Sequence, residues 1–352
     1  MTSRERVERC LDRTIPDRPP RHTWFLPIAE HDHGAAAIRD FKARWPDDIG
    51  TPNVPIPAVG ALRKGDMHAE GTYVDEWGCK FINLQAGVIG EVKEPLVSDW
   101  SRLDELKLPE ACLQVDIAAV NAACRASDKF LLSDAYPRPF ERLQFIRGSE
   151  NVYLDLATES PELRELLRRV HALYCRELEV WAKTDVDGLM FMDDWGAQSR
   201  LLIRPELWRR WFKPLYRDYV NIAHGAGKKI FMHSDGHIAA IYEDLVEIGV
   251  DALNSQLYCM DLEEIGRRFK GRIAFWGEID RQRILPFGTT DEVRAAVQRL
   301  AEALYDRRGG VMAQFEFGAG CKLENAHAAH EEWARIANGS GDGWLSQAVK
   351  SA

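Results

Sequence analysis

Between residues 188 and 315 the chain repeats one alternation five times: a short apolar run, then a stretch with helical periodicity. The apolar runs cover 188–193, 229–233, 250–254, 272–276 and 310–315, and helices are expected over 160–184, 204–226, 238–248, 261–269 and 290–307. Short apolar strands that alternate with helices make parallel βα units. This excludes all-β and all-α folds and leaves two architectures, an open doubly wound sheet and a closed (β/α)8 TIM barrel. The G-x-G-x-x-G turn of a dinucleotide-binding open sheet is absent. At 352 residues the chain is of a length that barrels reach without splitting, and no low-complexity linker or internal repeat divides it. A single domain over 1–352 is therefore expected, with an N-terminal helical and loop extension, and both parallel architectures, the open sheet and the (β/α)8 barrel, fit the alternation.

The first half is less legible. A helix is expected over 3–13, ending at the proline-rich 16–20, where proline removes amide donors. Residues 21–110 are rich in proline and glycine and read as long loops and irregular strands.

The polar residues just beyond the apolar runs point to chemistry. Asp193 and Asp194 lie after the first run, His233, Ser234 and Asp235 after the second, and Asn254 and Gln256 after the third. Glu278 and Asp280 lie after the fourth, and Glu316 and Cys321 after the fifth. In a parallel barrel these ends meet at one mouth, where active sites form. His233 and Asp235 are two apart, so in a strand they point to one side and can share an ion. Imidazole, carboxylate and a thiolate from Cys321 together suit Zn²⁺. Trp195 is a candidate wall for a substrate pocket, beside Asn254 and Gln256. His31 and His33 read as a surface loop, and His327 and His330 as solvated positions on a final helix.

Composition narrows the partners. Lys and Arg number 46 against 55 Asp and Glu, a net charge of −9, which argues against nucleic-acid binding. The seven cysteines are irregularly spaced with no C-x-x-C, so a disulfide framework is not expected and a reducing cytoplasm is. No run of 18 apolar residues occurs, so no membrane span is expected.

Several segments carry a family resemblance. The opening 3–20, then 139–163, 191–218, 227–238, 249–256 and 272–294 resemble, in order and spacing, the uroporphyrinogen decarboxylase superfamily. The resemblance implies the barrel with its cleft at the strand C-termini. True decarboxylases of this superfamily resemble one another through an N-terminal Arg-Gln-Ala-Gly-Arg stretch that grips the porphyrinogen carboxylates. Here residues 20–27 read PRHTWFLP, so turnover of uroporphyrinogen is not expected. The other branch holds methyltransferases that bind zinc through His-x-Cys after one strand and Cys after a later one. His233 and Cys321 are similar to the first and third of those ligands, Asp235 stands where the middle Cys would be, and Glu278 is a candidate fourth. A carboxylate makes zinc harder than a thiolate does, favouring an oxygen-bearing methyl donor. The resemblance thus implies a zinc-dependent O-demethylase-type methyltransferase, with Asp193 and Asp194 catalytic. Its acceptor would be a corrinoid protein or tetrahydrofolate. Barrels of this superfamily often pair, so a homodimer is expected. The alternative is a metal-independent decarboxylase or lyase in which Arg142, Arg147 or Arg200 grips a substrate carboxylate.

Overall fold

The computed structural model describes residues 1–339. The end of the expected 1–352 domain, residues 340–352, lies outside the described residues.

Eleven strands form among the described residues: β1 Arg21–Phe25, β2 Ile49–Gly50, β3 Gly71–Val74, β4 Lys80–Asn83, β5 Glu91–Val92, β6 Phe130–Leu131, β7 Gly188–Met192, β8 Lys229–Ser234, β9 Ala252–Ser255, β10 Ala274–Trp276 and β11 Val311–Phe317. Six of them make one parallel sheet in the order β1-β11-β10-β9-β8-β7, curved into a half-barrel. β2 and β6 pair in parallel as a second, short ladder. The amide of Asp48 donates to the Arg21 carbonyl at 2.8 Å, tying this ladder to β1. On its other side Ser133 donates to the Gly188 carbonyl at 2.9 Å, tying it to β7. β3, β4 and β5 form a separate antiparallel sheet.

The five late strands occupy the apolar runs, because each carries two rows of buried side chains. One row, with Leu189, Phe191, Ile230, Met232, Leu253 and Phe275, packs against the helices. The other, with Met190, Phe231, Ala252, Ala274, Trp276 and Met312, fills the inside of the curve. Ile49 and Phe130 from the short ladder join that inner cluster, and Val7, Cys10 and Leu11 of the first helix, Ser3–Asp12, plug its lower end. Each fully buried Leu, Ile or Phe contributes about 1.5–3 kcal/mol, so both rows are needed to hold the sheet.

The helices obey their local signals. Ser160 caps Pro161–Ala182 by accepting from the Leu163 amide, and Thr289 and Glu292 form a capping box on Thr290–Leu304. The helix expected over 204–226 is two, Pro205–Trp211 and Lys213–Gly225, broken at Phe212 just before the donor-less Pro214. The segment 238–248 starts as a 3-10 turn, Ala239–Ile241, before the helix Tyr242–Ile248. Residues 21–110 are more ordered than expected: besides β1 to β5 they hold the helices Pro27–His33 and Ala35–Arg44. His31 and His33 therefore sit on a helix, not in a loop. His330, expected in solvent, is buried, with Nε2 3.0 Å from the Thr23 hydroxyl, because the last helix, Leu323–Ala337, turns that face onto β1.

Candidate metal centre

Side chains alternate between the two faces of a strand, and the inner row continues past the strand ends. Met190 and Met192 lead to Asp194, Phe231 to His233 and Asp235, and Ala252 to Asn254 and Gln256. Ala274 and Trp276 lead to Glu278, and Met312 to Gln314 and Glu316. The polar residues at the upper end of the sheet are thus the last members of rows that are apolar below.

His233 is the centre of this group. Its Nδ1 lies 2.6 Å from Oδ1 of Asn254. The amide nitrogen of Asn254 donates to the carbonyl of Trp276 and, at 2.8 Å, to Oε1 of Gln314. Two acceptors fix the Asn254 amide, so its oxygen faces His233 and Nδ1 must be the protonated nitrogen. The lone pair of Nε2 is then directed at Asp194 and Asp235, each with Oδ1 3.5 Å away. Ligands about 2.0–2.2 Å from a tetrahedral ion stand roughly 3.4 Å apart, which matches. Asp194, His233 and Asp235 offer ligand atoms all within 4.8 Å of one another, and Oδ1 of Asp235 is buried without a hydrogen-bond partner among the described residues. An orphaned carboxylate oxygen, a directed imidazole lone pair and a second carboxylate fit a divalent cation. The Nδ1–H···Asn254 bond is the outer support that metal-binding imidazoles need.

The loops after β7 and β8 are held together beside this group. Gly196 and Gly236 cross in contact: a Cβ on Gly236 would lie 2.0 Å from the Gly196 carbonyl oxygen, and Gly236 has φ +75. The Gly196 amide donates to the Asp235 carbonyl at 3.0 Å, and the Asp235 amide to Oδ1 of Asp194 at 2.9 Å. A side chain at either glycine would part the two carboxylates.

Arg281 lies across the acids. Its guanidinium pairs with Oδ2 of Asp235 and, at 2.6 Å, with Glu316, and Nε stands 3.9 Å from Glu278. Burial pushes Glu278 well above the usual carboxylate range, and Asp235 and Glu316 reinforce the shift against Arg281. Its Oε2 has no partner among the described residues. Burial also lifts Glu141 to about 7, with Arg138 opposing and Asp194 adding. Below the group, His22 accepts from the indoles of Trp24 and Trp276 at 3.3 and 3.2 Å, and Trp24 meets the His233 ring edge-on at 5.1 Å.

The other expected site residues divide. Asn254 orients His233 through its amide. Oε1 of Gln256 accepts from the Gly236 amide at 2.9 Å and so braces the loop. The structure does not bring Cys321 or Glu278 within the ligand group of Asp194, His233 and Asp235. The Cys321 thiol is buried beyond the end of β11, lies 3.8 Å from the Lys322 carbonyl, and is pushed up to about 12 by burial. Asp193, expected to be catalytic, is sealed on the helix side. It accepts from the amides of Phe140 and Glu141, each at 2.8 Å, and from the Tyr216 hydroxyl at 2.6 Å. It thereby caps Pro139–Arg147, whose own N-cap, Arg138, offers no acceptor. Trp195 is fully buried, stacks on Phe140 at 4.0 Å and donates to Tyr216 at 2.7 Å, so it belongs to the core and does not wall a cleft. Arg142 is buried against Asp75, and Arg147 binds Asp155 at 2.8 Å, so both guanidiniums already have carboxylate partners. Arg281 and Glu141 escape a reading of the sequence because neither ends an apolar strand. Glu316 does, and its row marks it.

A methyltransferase from Methanosarcina mazei superposes with a TM-score of 0.65 at 13% identity, over 96% of this chain and 99% of its own. The apo 3-keto-D-glucoside 4-epimerase YcjR from E. coli aligns with a TM-score of only 0.40 at 15% identity, over 65% of this chain and 86% of its own. No curated protein matches the chain by sequence. Among the described residues no helix is long and apolar enough to cross a membrane. The uroporphyrinogen decarboxylase (URO-D) family profile matches residues 73–330, and the chain belongs to that family.

Proposed function

We propose that the chain is a zinc-dependent methyltransferase of the O-demethylase type, taking a methyl group from a small-molecule donor. One observation carries this reading: Nε2 of His233, its tautomer fixed through Asn254, converges with Asp194 and Asp235. These three residues would hold the ion, in place of a set that includes Cys321. When bound, zinc supplies a Lewis acid beside the donor oxygen. The chain's own groups do the rest. Asn254 holds the His233 ring with Nε2 directed at the acids, Arg281 limits the negative charge on Asp235 and Glu316, and burial favours the protonated form of Glu278. Removing a methyl cation from an ether leaves an alkoxide or phenoxide that needs one proton, and the Glu278 carboxyl is the reservoir for it. The acceptor is cob(I)alamin on a partner corrinoid protein, or tetrahydrofolate. The resemblance to the methyltransferase branch and the M. mazei superposition support this branch.

In the same proposal the eight parallel strands make one closed (β/α)8 barrel. The hydrogen bonds that tie the β2–β6 ladder to β1 and β7, and the shared inner cluster, support closure.

Metal analysis tests the reading. Near-stoichiometric zinc is expected in the wild type, and its loss in His233→Ala. A wild type without metal, or equal loads in both, overturns it.

A second reading has one observation in its favour. Arg281 already neutralises Asp235 and Glu316, and a guanidinium among the acids is the group a metal-independent decarboxylase or lyase would use on a substrate carboxylate. Carbon dioxide release by metal-stripped protein would select it.

A further inference from the structure

A cavity of about 190 Å³ opens between the β3–β4 sheet and the helix Pro161–Ala182, closed on one side by the segment that succeeds β6. Its walls include Tyr73, Trp77, Phe81, Tyr136, Phe145 and Tyr174. A cavity of about 150 Å³ admits benzene, so this one takes a single ring with a short substituent.

The charges around it are not all matched. Arg63 pairs with Glu76 at 2.8 Å, and Arg142 pairs with Asp75 and lies 4.7 Å over the Trp77 ring. Asp134 accepts from the Tyr136 hydroxyl at 3.0 Å. Glu177 is different. It projects from Pro161–Ala182 into the cavity wall and has no hydrogen bond or ion pair among the described residues. Burial pushes its carboxyl up to about 8, with Glu76 and Asp134 adding and Arg142 opposing, and Arg138, which makes no ion pair among the described residues, also lines the wall. A half-buried carboxylate without a partner beside aromatic faces lacks a counter-charge.

We infer that this cavity binds a small organic ammonium ion, held by the Glu177 carboxylate and by the faces of the surrounding rings. The ammonium supplies the charge that Glu177 lacks, and its C–H groups lie against the aromatic π-faces. A neutral molecule of the same shape gains only the burial of its ring. An anion meets four carboxylates, Asp75, Glu76, Asp134 and Glu177, against the three guanidiniums of Arg63, Arg138 and Arg142. Pairing favours the ionised form of Glu177, so binding at neutral pH releases a proton. This inference is independent of the methyl-transfer reading, because binding here needs neither metal nor methyl acceptor.

Calorimetry with benzylammonium, benzyl alcohol and benzoate tests it on the full-length wild type and on Glu177→Gln. Benzylammonium is expected to bind at least about tenfold tighter than benzyl alcohol. Its heat should vary with buffer ionisation enthalpy in the sense of proton release, and benzoate should not bind. Glu177→Gln should erase the preference for the cation and leave benzyl alcohol unchanged. The wild-type series stands even if the variant does not fold. Equal affinity for the cation and the alcohol, tighter binding of benzoate, no binding of any probe, or a preference that survives in Glu177→Gln overturns the inference.

Discussion

Asp193 and Asp194 are neighbours at the end of β7, and their surroundings differ in burial, in facing and in how many donors they meet. Asp193 faces the helices, is fully buried, and has three donors on its two oxygens. Asp194 faces the inside of the curve, with 41% of its side chain exposed, and stands 3.5 Å from Nε2 of His233. One carboxylate is fully satisfied and holds a helix to the sheet. The other is open on one side and shares the group around His233. The period-two alternation of a strand, not residue type, makes that difference.

If the contrast is right, Asp193→Ala has the largest effect. It orphans two amides and a buried tyrosine hydroxyl, each costing about 1–3 kcal/mol, so a loss of at least about 3 kcal/mol is expected in urea unfolding. Asp194→Ala should move stability by less than about 1 kcal/mol while metal affinity falls sharply. Equal destabilisation by the two would break the comparison. Asn254→Ala sharpens it further: removing the support behind a metal-binding imidazole typically costs about 10- to 100-fold in affinity, read by competition with a chelating dye. Affinity should also fall as pH falls, because protons compete for the imidazole and the carboxylates. The smallest effect is expected at Cys321. Cys321→Ser should leave the metal load unchanged, and the thiol should resist alkylation at pH 8 in the folded protein, since burial pushes it up to about 12. Zinc lost with Cys321 would return the thiol to the ligand set.

Much of this contrast is written in the chain. In the rows Met190-x-Met192-x-Asp194 and Phe231-x-His233-x-Asp235, the inner side of the strand can be traced into the polar residues beyond it. Counting from Leu189 and Phe191 puts Asp193 on the other side. Treating Asp193 and Asp194 as one catalytic pair overlooks that alternation. Cys321 lies four residues beyond the end of β11, where strand periodicity no longer says which way a side chain points. Arg281 lies in a turn that no periodic pattern orients, and its three acids come from separate segments. Trp195 stands out as an aromatic near a strand end, but its partners Phe140 and Tyr216 come from helices far along the chain.

The sequence by itself determined the parallel βα architecture, the family, and the rows of polar residues at the strand ends. Those arise from local periodicity and spacing, which the backbone imposes wherever the chain goes. Which of these residues share a site was decided only by tertiary structure. The crossing of Gly196 and Gly236 brings Asp194 to Asp235, and the Gln314–Asn254–His233 chain of hydrogen bonds aims one nitrogen at both. Neither contact lies within one element.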